Sequence, residues 1–450
     1  MINMVLLGLL WKVMGFNPNE LKKEVEKQFS SKPKVLKINL KCIEAGYEAK
    51  KLKKVPKYNI KRNKKKPNTI LIDGTRSISL GAIQAGVRNY YMYPMSPASG
   101  ILTYLAQTYN ETGMVVKQAE DEITAVQMTI GSMHAGSRAL VATSGGGYDL
   151  MTETVSLSGL TETPLVVVIG QRPGPATGLP TWTSQGDLAL AINAGHGEFP
   201  RVVIACSDPL SSYKLIQHAF NIAEQYQTTV IVLTEKVVLE TFQTVEPFKQ
   251  KQIPIKRGLI TKKSELKNLK SSDRYKITKS GVSKRWIPGS CKTYYYANGD
   301  EHWEDGKITE ESKPVEEMYA KRMRKEITIK NALPNPVVHG TKTNADISFI
   351  GWGSTKNTLL DVIEEAKKNG IKVNYLHMDY VWPLRDEAIK SFFSKNKNVC
   401  LIEGNYRGQL GELIEHATCK KFKNKLLRYD GRPFFVDEIM TYIKTNVKKI

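Results

Sequence analysis

Residues 90–100 read Tyr-Tyr-Met-Tyr-Pro-Met-Ser-Pro-Ala-Ser-Gly, and residues 118–123 read Gln-Ala-Glu-Asp-Glu-Ile at the head of a helical pattern. Pro94 and Pro97 fix φ and remove two N–H donors, so the first segment cannot continue a β-ladder and must leave its sheet as a stiff loop. Such a loop holds the Ser96 hydroxyl in one place. A Pro-rich turn without chemistry has the same local pattern, and only its neighbours can distinguish the two.

Outward from that loop, residues 69–245 alternate short β-branched runs with helical periods, which predicts an α/β domain with a doubly wound parallel sheet covered on both faces. Strands are expected at 69–72, 90–93, 139–143, 165–169, 201–205 and 229–233. Ligands of such sheets sit at the carboxyl ends of the strands. Ser96, the run Ser144-Gly145-Gly146-Gly147 and Arg172 each follow a predicted strand directly, so they should share one rim. Glu120, Asp121 and Glu122 open a helix over 123–135, whose N-terminal dipole favours acids. With Ile123 and Val126 expected to face the core, one acid is left near the rim, where partial desolvation would suit it to proton transfer. The three glycines permit positive φ and close backbone approach ahead of a helix expected near Tyr148, and the N–H groups there could hold an anion or a carbonyl. No Walker lysine or G-x-G-x-x-G spacing accompanies them, and a plain tight turn fits as well. Arg172, stiffened by Pro173-Gly174-Pro175, suits a bidentate grip on a carboxylate, though a surface arginine has the same pattern. Residues 174–187 are polar and turn-rich, as ligand loops are.

Residues 1–49 read as a helix to Phe29 followed by an alternating strand at 35–40, too little chain to enclose much core. A basic linker occupies 50–68, with ten cationic residues in 50–66. A polar, lysine-rich arm spans 246–343, and a second, smaller α/β domain spans 344–450, with Gly370 stopping a helix. There Gly353-Ser354-Thr355 reads equally as a phosphate nest or a helix cap. The formal charge of +22 raises the question of nucleic acid, but 51 of the 66 cations are lysines and they are scattered, so no nucleic-acid partner is expected. Cys42, Cys206, Cys291, Cys400 and Cys419 form no C-x-x-C pair, and no histidine has metal-ligand spacing, so neither a cluster nor a metal ligand is expected on this chain. The apolar start, residues 1–16, lacks a basic leader and the length to span a bilayer, which leads to the expectation of a cytoplasmic protein away from membranes.

Assembled, these motifs resemble the alpha subunit of 2-oxoacid:ferredoxin oxidoreductases, particularly the two-subunit 2-oxoglutarate type, over nearly the whole chain. The family's Tyr-Pro-Ile-Thr-Pro loop resembles Tyr93-Pro94-Met95-Ser96-Pro97, its acidic helix start resembles Glu120-Asp121-Glu122-Ile123, and its Ser-Gly-Pro-Gly…Leu-Met-Thr-Glu run resembles residues 144–153. Similar matches are Arg172-Pro173-Gly174-Pro175, Gln185-Gly186-Asp187, Gly195-His196-Gly197-Glu198-Phe199-Pro200, Trp382-Pro383-Leu384 and Gly431-Arg432-Pro433-Phe434. Departures are Ser96 for the family threonine, Gly146 for a proline, and Asp73-Gly74-Thr75-Arg76-Ser77 where the family has Gly-Asn-Glu-Ala.

The resemblance implies a thiamine diphosphate fold: a pyrimidine-binding domain at 69–245 and a transketolase C-terminal-like domain at 344–450. By it, Glu122 is the catalytic residue and hydrogen-bonds the aminopyrimidine, while Tyr93, Pro94 and Gly145 complete the cofactor site. Ser96 and Arg172 orient the oxoacid, Arg172 through its carboxylate. The implied reaction is oxidative decarboxylation of a 2-oxoacid with coenzyme A, giving acyl-CoA, CO2 and reduced ferredoxin. 2-Oxoglutarate, pyruvate and branched oxoacids all stay open. No Gly-Asp-Gly…Asn segment or cluster cysteine set is present, so Mg2+ and a [4Fe–4S] cluster are expected on a beta subunit. Residues 1–49 resemble only the end of the family's gamma domain, which a separate chain could complete. A non-catalytic assembly subunit of a thiamine-type complex is the alternative these departures leave.

Overall fold

The computed structural model describes residues 1–49, 58 and 67–447, and divides into two units, 1–68 and 69–450. The basic run at 50–66 lies, apart from Tyr58, outside the described residues. The first unit holds α1 (Ile2–Val13), α2 (Pro18–Phe29) and α3 (Pro33–Tyr47) around Leu21, Val25 and Ile43. The strand expected at 35–40 is therefore helix. Val35 and Ile38 are exposed while Leu36 and Leu40 pack on the small core, so the operative apolar spacing is four residues rather than two. Pro33 sits in the first helical turn, where its missing N–H costs nothing.

The second unit begins with β1 (Ile70–Ile72), α4 (Gly74–Gln84), β2 (Asn89–Met92), α5 (Ser99–Gln107), α6 (Tyr109–Thr112), β3 (Val115–Gln118) and α7 (Glu122–His134). It continues through β4 (Ala139–Thr143), α8 (Gly145–Thr161), β5 (Leu165–Gln171), α9 (Leu188–Asn193), β6 (Arg201–Ala205), α10 (Pro209–Tyr226), β7 (Thr229–Glu235), α11 (Lys236–Glu240) and β8 (Gln243–Val245). After a long irregular stretch come α12 (Ser312–Ala332), β9 (Val337–Gly340), β10 (Ile347–Trp352), α13 (Thr355–Lys368), β11 (Val373–Met378) and β12 (Tyr380–Trp382). The last elements are α14 (Asp386–Lys395), β13 (Val399–Glu403), α15 (Gln409–Thr418), β14 (Asn424–Leu427) and α16 (Val436–Asn446).

A seven-stranded sheet of order β12-β6-β7-β5-β4-β2-β3 forms the first α/β layer, parallel except for β12 at its edge. Its central strands β4, β5, β6 and β7 are buried along their whole length, as β-branched runs covered on both faces must be. The run at 69–72 does not join this sheet: β1 pairs antiparallel with β8 in a separate ribbon. The sheet instead gains β3, a mostly exposed edge strand, and β12, which arrives from beyond residue 344. A second sheet, β14-β13-β10-β11-β9, carries β9 antiparallel at its edge. Among the described residues no helix is long and apolar enough to cross a membrane.

The stretch between β8 and α12 has little regular structure, yet it buries Tyr275, Val282 and Trp286. Buried charges anchor it. Arg285 donates to the Met133 carbonyl at 3.1 Å and to Glu224 at 3.1 Å, and Arg138 bonds the same carboxylate at 2.9 Å. Arg274 donates to the carbonyls of Thr161 and Glu162, and α12 brings Lys321 and Lys325 onto the Glu162 carboxylate. Burial alone would raise the Glu162 carboxyl, but Lys321, Lys325 and Arg274 outweigh it and hold the group well below the usual carboxylate range. Removing one member of such a cluster leaves the others charged and unpaired. Glu162→Gln is expected to destabilise the chain by about 3–5 kcal/mol in urea denaturation, and a loss under about 1 kcal/mol would contradict this account of the anchor.

Candidate active site at the carboxyl rim of the seven-stranded sheet

Asp121 caps α7 by accepting the Thr124 N–H at 2.7 Å, which places Glu122 in the first helical turn. Asp121 stays at the surface, but Glu122 turns inward and is 3% exposed. Ile123, expected in the core, is instead exposed; Ala125, Val126, Thr129 and Ile130 form the inward face. The Glu122 Oε1 atom is sealed from solvent without a hydrogen-bond partner among the described residues. Such an acceptor is costly to bury and is normally paired.

What packs against that carboxylate is the start of α8. The helix begins at Gly145, earlier than expected, so the three glycines form its first turn instead of a loop before it, and none has positive φ. Their use is close approach. A Cβ on Gly147 would overlap Thr143 Oγ1 and lie 2.7 Å from Glu122 Oε1, and one on Gly145 would lie 2.6 Å from Asp187 Oδ1. Ser144, the N-cap, makes no capping bond through its side chain, and its buried hydroxyl has no partner among the described residues.

The Pro-rich loop after β2 reaches the same place. Met95 Sδ lies 3.9 Å from Thr143 Oγ1, and Arg172 Nη1 donates to the Ser96 carbonyl at 2.9 Å. Ser96, Tyr93 and Pro94 are exposed at the rim. Ser96, Gly145, Glu122 and Arg172 are thus brought together, three of them following β2, β4 and β5 and the fourth opening α7.

One further residue of the rim is expected from the sequence only as part of the ligand loop at 174–187, with no role of its own. Asp187 lies against Gly145, its Oδ2 sealed and unpaired, and its backbone N–H donates to Gln171 Oε1 at 3.1 Å. Burial pushes its carboxyl up to about 7, helped by the charge of Asp149 and opposed by Arg172. The polar, turn-rich composition of 174–187 and the match at Gln185-Gly186-Asp187 point to this stretch, but not to Asp187 itself, because it follows no strand. Its position is imposed by the second α/β layer. Gln185 Nε2 donates to Glu235 at 2.9 Å and to the Trp352 carbonyl at 2.8 Å, while its Oε1 accepts the Gly404 N–H at 2.7 Å. Gln409 closes the turn from the other side, donating to the Gly186 carbonyl and accepting from the Ala189 N–H, both at 2.8 Å.

The nest at Gly353-Ser354-Thr355 is filled by the chain itself. The Glu235 carboxyl accepts the Ser354 N–H at 2.8 Å and the Ser354 hydroxyl at 2.6 Å, so the N-terminus of α13 is already occupied by a group of the chain itself.

Comparison with known proteins identifies the family. Residues 80–321 match the family described as pyruvate flavodoxin/ferredoxin oxidoreductase, thiamine diphosphate-binding, residues 1–49 match pyruvate ferredoxin/flavodoxin oxidoreductase, and residues 345–439 match pyruvate:ferredoxin oxidoreductase core domain II. The chain is 33% identical to the 2-oxoacid:ferredoxin oxidoreductase subunit alpha of Saccharolobus solfataricus, covering 99% of this chain and 72% of that one. It is 28% identical to the 2-oxoglutarate synthase subunit KorA of Methanothermobacter marburgensis, covering 83% of this chain and 97% of that one. The solved 2-oxoglutarate:ferredoxin oxidoreductase of Magnetococcus marinus, with 2-oxoglutarate, coenzyme A and succinyl-CoA bound, superposes with a TM-score of 0.91 at 31% identity, over 99% of this chain and 77% of that one. The chain belongs to the family of 2-oxoacid:ferredoxin oxidoreductase alpha subunits.

Asp187 supplies a pH test. Burial pushes its carboxyl up to about 7 from the ordinary 3.8, so between these values the folded chain keeps a proton that the unfolded chain releases. The resulting stabilisation is complete below the lower value and is lost as the pH rises through the upper one. Asp187→Asn should abolish that loss, so its advantage in thermal unfolding over the parent should be larger at about pH 8 than at about pH 5. An equal difference at both would contradict the buried, raised carboxyl.

Proposed function

We propose that the rim built by Glu122, Gly145, Ser96 and Arg172 is the pyrimidine-side half of a thiamine diphosphate site, completed by a beta subunit, and that it acts on 2-oxoglutarate. The observation that carries this reading is the sealed, partnerless Glu122 Oε1 against glycines that leave no room for a side chain. When bound, thiamine diphosphate supplies a carbon nucleophile and an electron sink for loss of CO2 from a 2-oxoacid. The residues present fit it: a buried carboxyl that lacks a partner accepts a ring N–H or gives a proton to a ring nitrogen, and Gly147 keeps the approach to it open.

Glu122 would hold the proton at the aminopyrimidine ring nitrogen, with Tyr93, Pro94 and Gly145 bounding the ring's pocket. Arg172 is already fixed at one nitrogen by the Ser96 carbonyl, and the rest of its planar fork is available to the oxoacid carboxylate. Ser96 presents its hydroxyl beside that clamp. Asp187, its carboxyl pushed up to about 7 by burial, would in its protonated form donate a hydrogen bond where an ionised acid would repel the oxoacid. A five-carbon dicarboxylate is favoured by the 2-oxoglutarate named for two of the similar proteins. Arg432 supports it from this chain: it lies over the Trp182 ring at 3.2 Å, in the loop that Arg172 opens, and offers a second cation.

By the same reading the beta subunit brings Mg2+ and a [4Fe–4S] cluster, coenzyme A takes the acyl group, and ferredoxin takes the electrons. The test is co-expression with a beta partner and an assay of 2-oxoglutarate-dependent viologen reduction with coenzyme A. Glu122→Gln is expected to lower kcat by about 10²–10⁴. Arg172→Ala should lower kcat/KM for the oxoacid by about 10², with coenzyme A kinetics little changed. Full turnover by Glu122→Gln, or an unchanged oxoacid KM in Arg172→Ala, would overturn these roles.

A further inference from the structure

A cavity of about 470 Å³ lies between α9, the start of β6, α12 and α15. At its floor lies Arg201, which is 95% buried and stacks on Phe199 at 4.2 Å. One guanidinium nitrogen donates to the Ala194 carbonyl, and no carboxylate within the described residues pairs with it. A buried arginine that faces a cavity and forms no ion pair has donors to spare for an anion. The mouth has the opposite sign. Glu198, Glu326 and Glu412 all face the cavity, with His416 the one titratable cation former among them.

Glu326 is the acid that interacts with Arg201, yet the two do not form an ion pair. Desolvation raises the Glu326 carboxyl, with Lys330 and Arg201 pulling it the other way, and Lys330 is itself paired with Asp386 at 2.6 Å. Glu198 accepts the Tyr319 hydroxyl at 3.0 Å, and Glu412 pairs with Arg407 at 3.3 Å. The wall between floor and mouth is apolar, with Leu188, Ile192, Met323, Trp382 and Leu413. A bare anion entering would meet three carboxylates, and a bare cation would meet a desolvated guanidinium.

We propose that this cavity binds a neutral α-amino acid as its zwitterion, the carboxylate on Arg201, the ammonium toward Glu326 and Glu198, and an apolar side chain against Trp382 and Leu413. The volume accommodates such a molecule with room for water. Its chemistry is close to a 2-oxoacid's, because an α-amino acid carries an α-carbon bearing an amine and a hydrogen where the 2-oxoacid has its ketone. Gln409 lines the cavity and also holds the turn at Gly186, so an occupant sits one side chain away from the loop that carries Asp187. The binding site stands independently of the active-site reading; its relevance to turnover rests on it.

The test is calorimetric titration of the assembled complex with L-leucine, and in parallel with 4-methylpentanoate and 3-methylbutan-1-amine, which carry the carboxylate alone and the ammonium alone. L-leucine should bind saturably, and each half-ligand should bind at least about tenfold more weakly. Glu326→Gln should weaken L-leucine about tenfold while leaving 4-methylpentanoate unchanged, and Arg201→Met, if it folds, should abolish both. No saturation by L-leucine at about 10 mM, a carboxylate that binds as well as the zwitterion, or a Glu326→Gln affinity equal to the parent's would each overturn the proposal. Because the readout is binding, its failure is distinguishable from a failure of oxoacid turnover.

Discussion

A carboxylate sealed at the end of a parallel sheet with no hydrogen bond to its inner oxygen is the constraint around which this chain is arranged. Glu122 is kept there by the dipole and cap of α7, and the start of α8 is stripped to glycines so that Thr143 and Glu122 can meet it closely. A side chain at Gly147 would collide with Thr143 and the Glu122 carboxylate. The isolation is therefore a property of the sequence, and the desolvation it imposes is recovered only when a partner for that oxygen arrives.

The remaining layers serve to position what surrounds it. The Gln185 side chain joins the two α/β layers, taking Glu235 from the end of β7, the Trp352 carbonyl from β10 and the Gly404 amide from beyond β13. That joint fixes the loop from Arg172 to Asp187, which carries the proposed oxoacid side of the site. β12 strengthens it by adding a strand from the later part of the chain to the edge of the first sheet. The irregular stretch before α12 acts as a strap on the opposite side, with Arg285 and Arg274 capping the carbonyls at the ends of α7 and α8.

Much of this was legible because strand ends are legible. Runs such as Leu-Val-Val-Val-Ile at 165–169 declare buried parallel strands, and the residue types that follow them, Ser96, Gly145 and Arg172, fall on one rim by topology alone. The family motifs then assigned the chemistry. What could not be read depends on contacts distant in sequence. Asp187 is placed by bonds from Gln185 to a residue 219 positions away, and the apparent nest at Ser354 is filled by Glu235 from 119 positions away. β12 is three residues long, too short for any period, and the run at 69–72 has the composition of a core strand but pairs with β8 instead. At 35–40 the pattern Val-Leu-Lys-Ile-Asn-Leu satisfies periods of two and of nearly four, and Pro33 together with the core at Ile43 selects the helix.

The most direct measurement of the central claim is the rate of hydrogen–deuterium exchange at the thiazolium carbon of thiamine diphosphate bound to the assembled alpha–beta complex, followed by NMR after acid quench. If Glu122 governs the proton on the pyrimidine ring, Glu122→Gln should slow that exchange by about two orders of magnitude or more while the cofactor stays bound. Exchange at the parent rate with the cofactor retained would show that the buried carboxyl does not act on the ring.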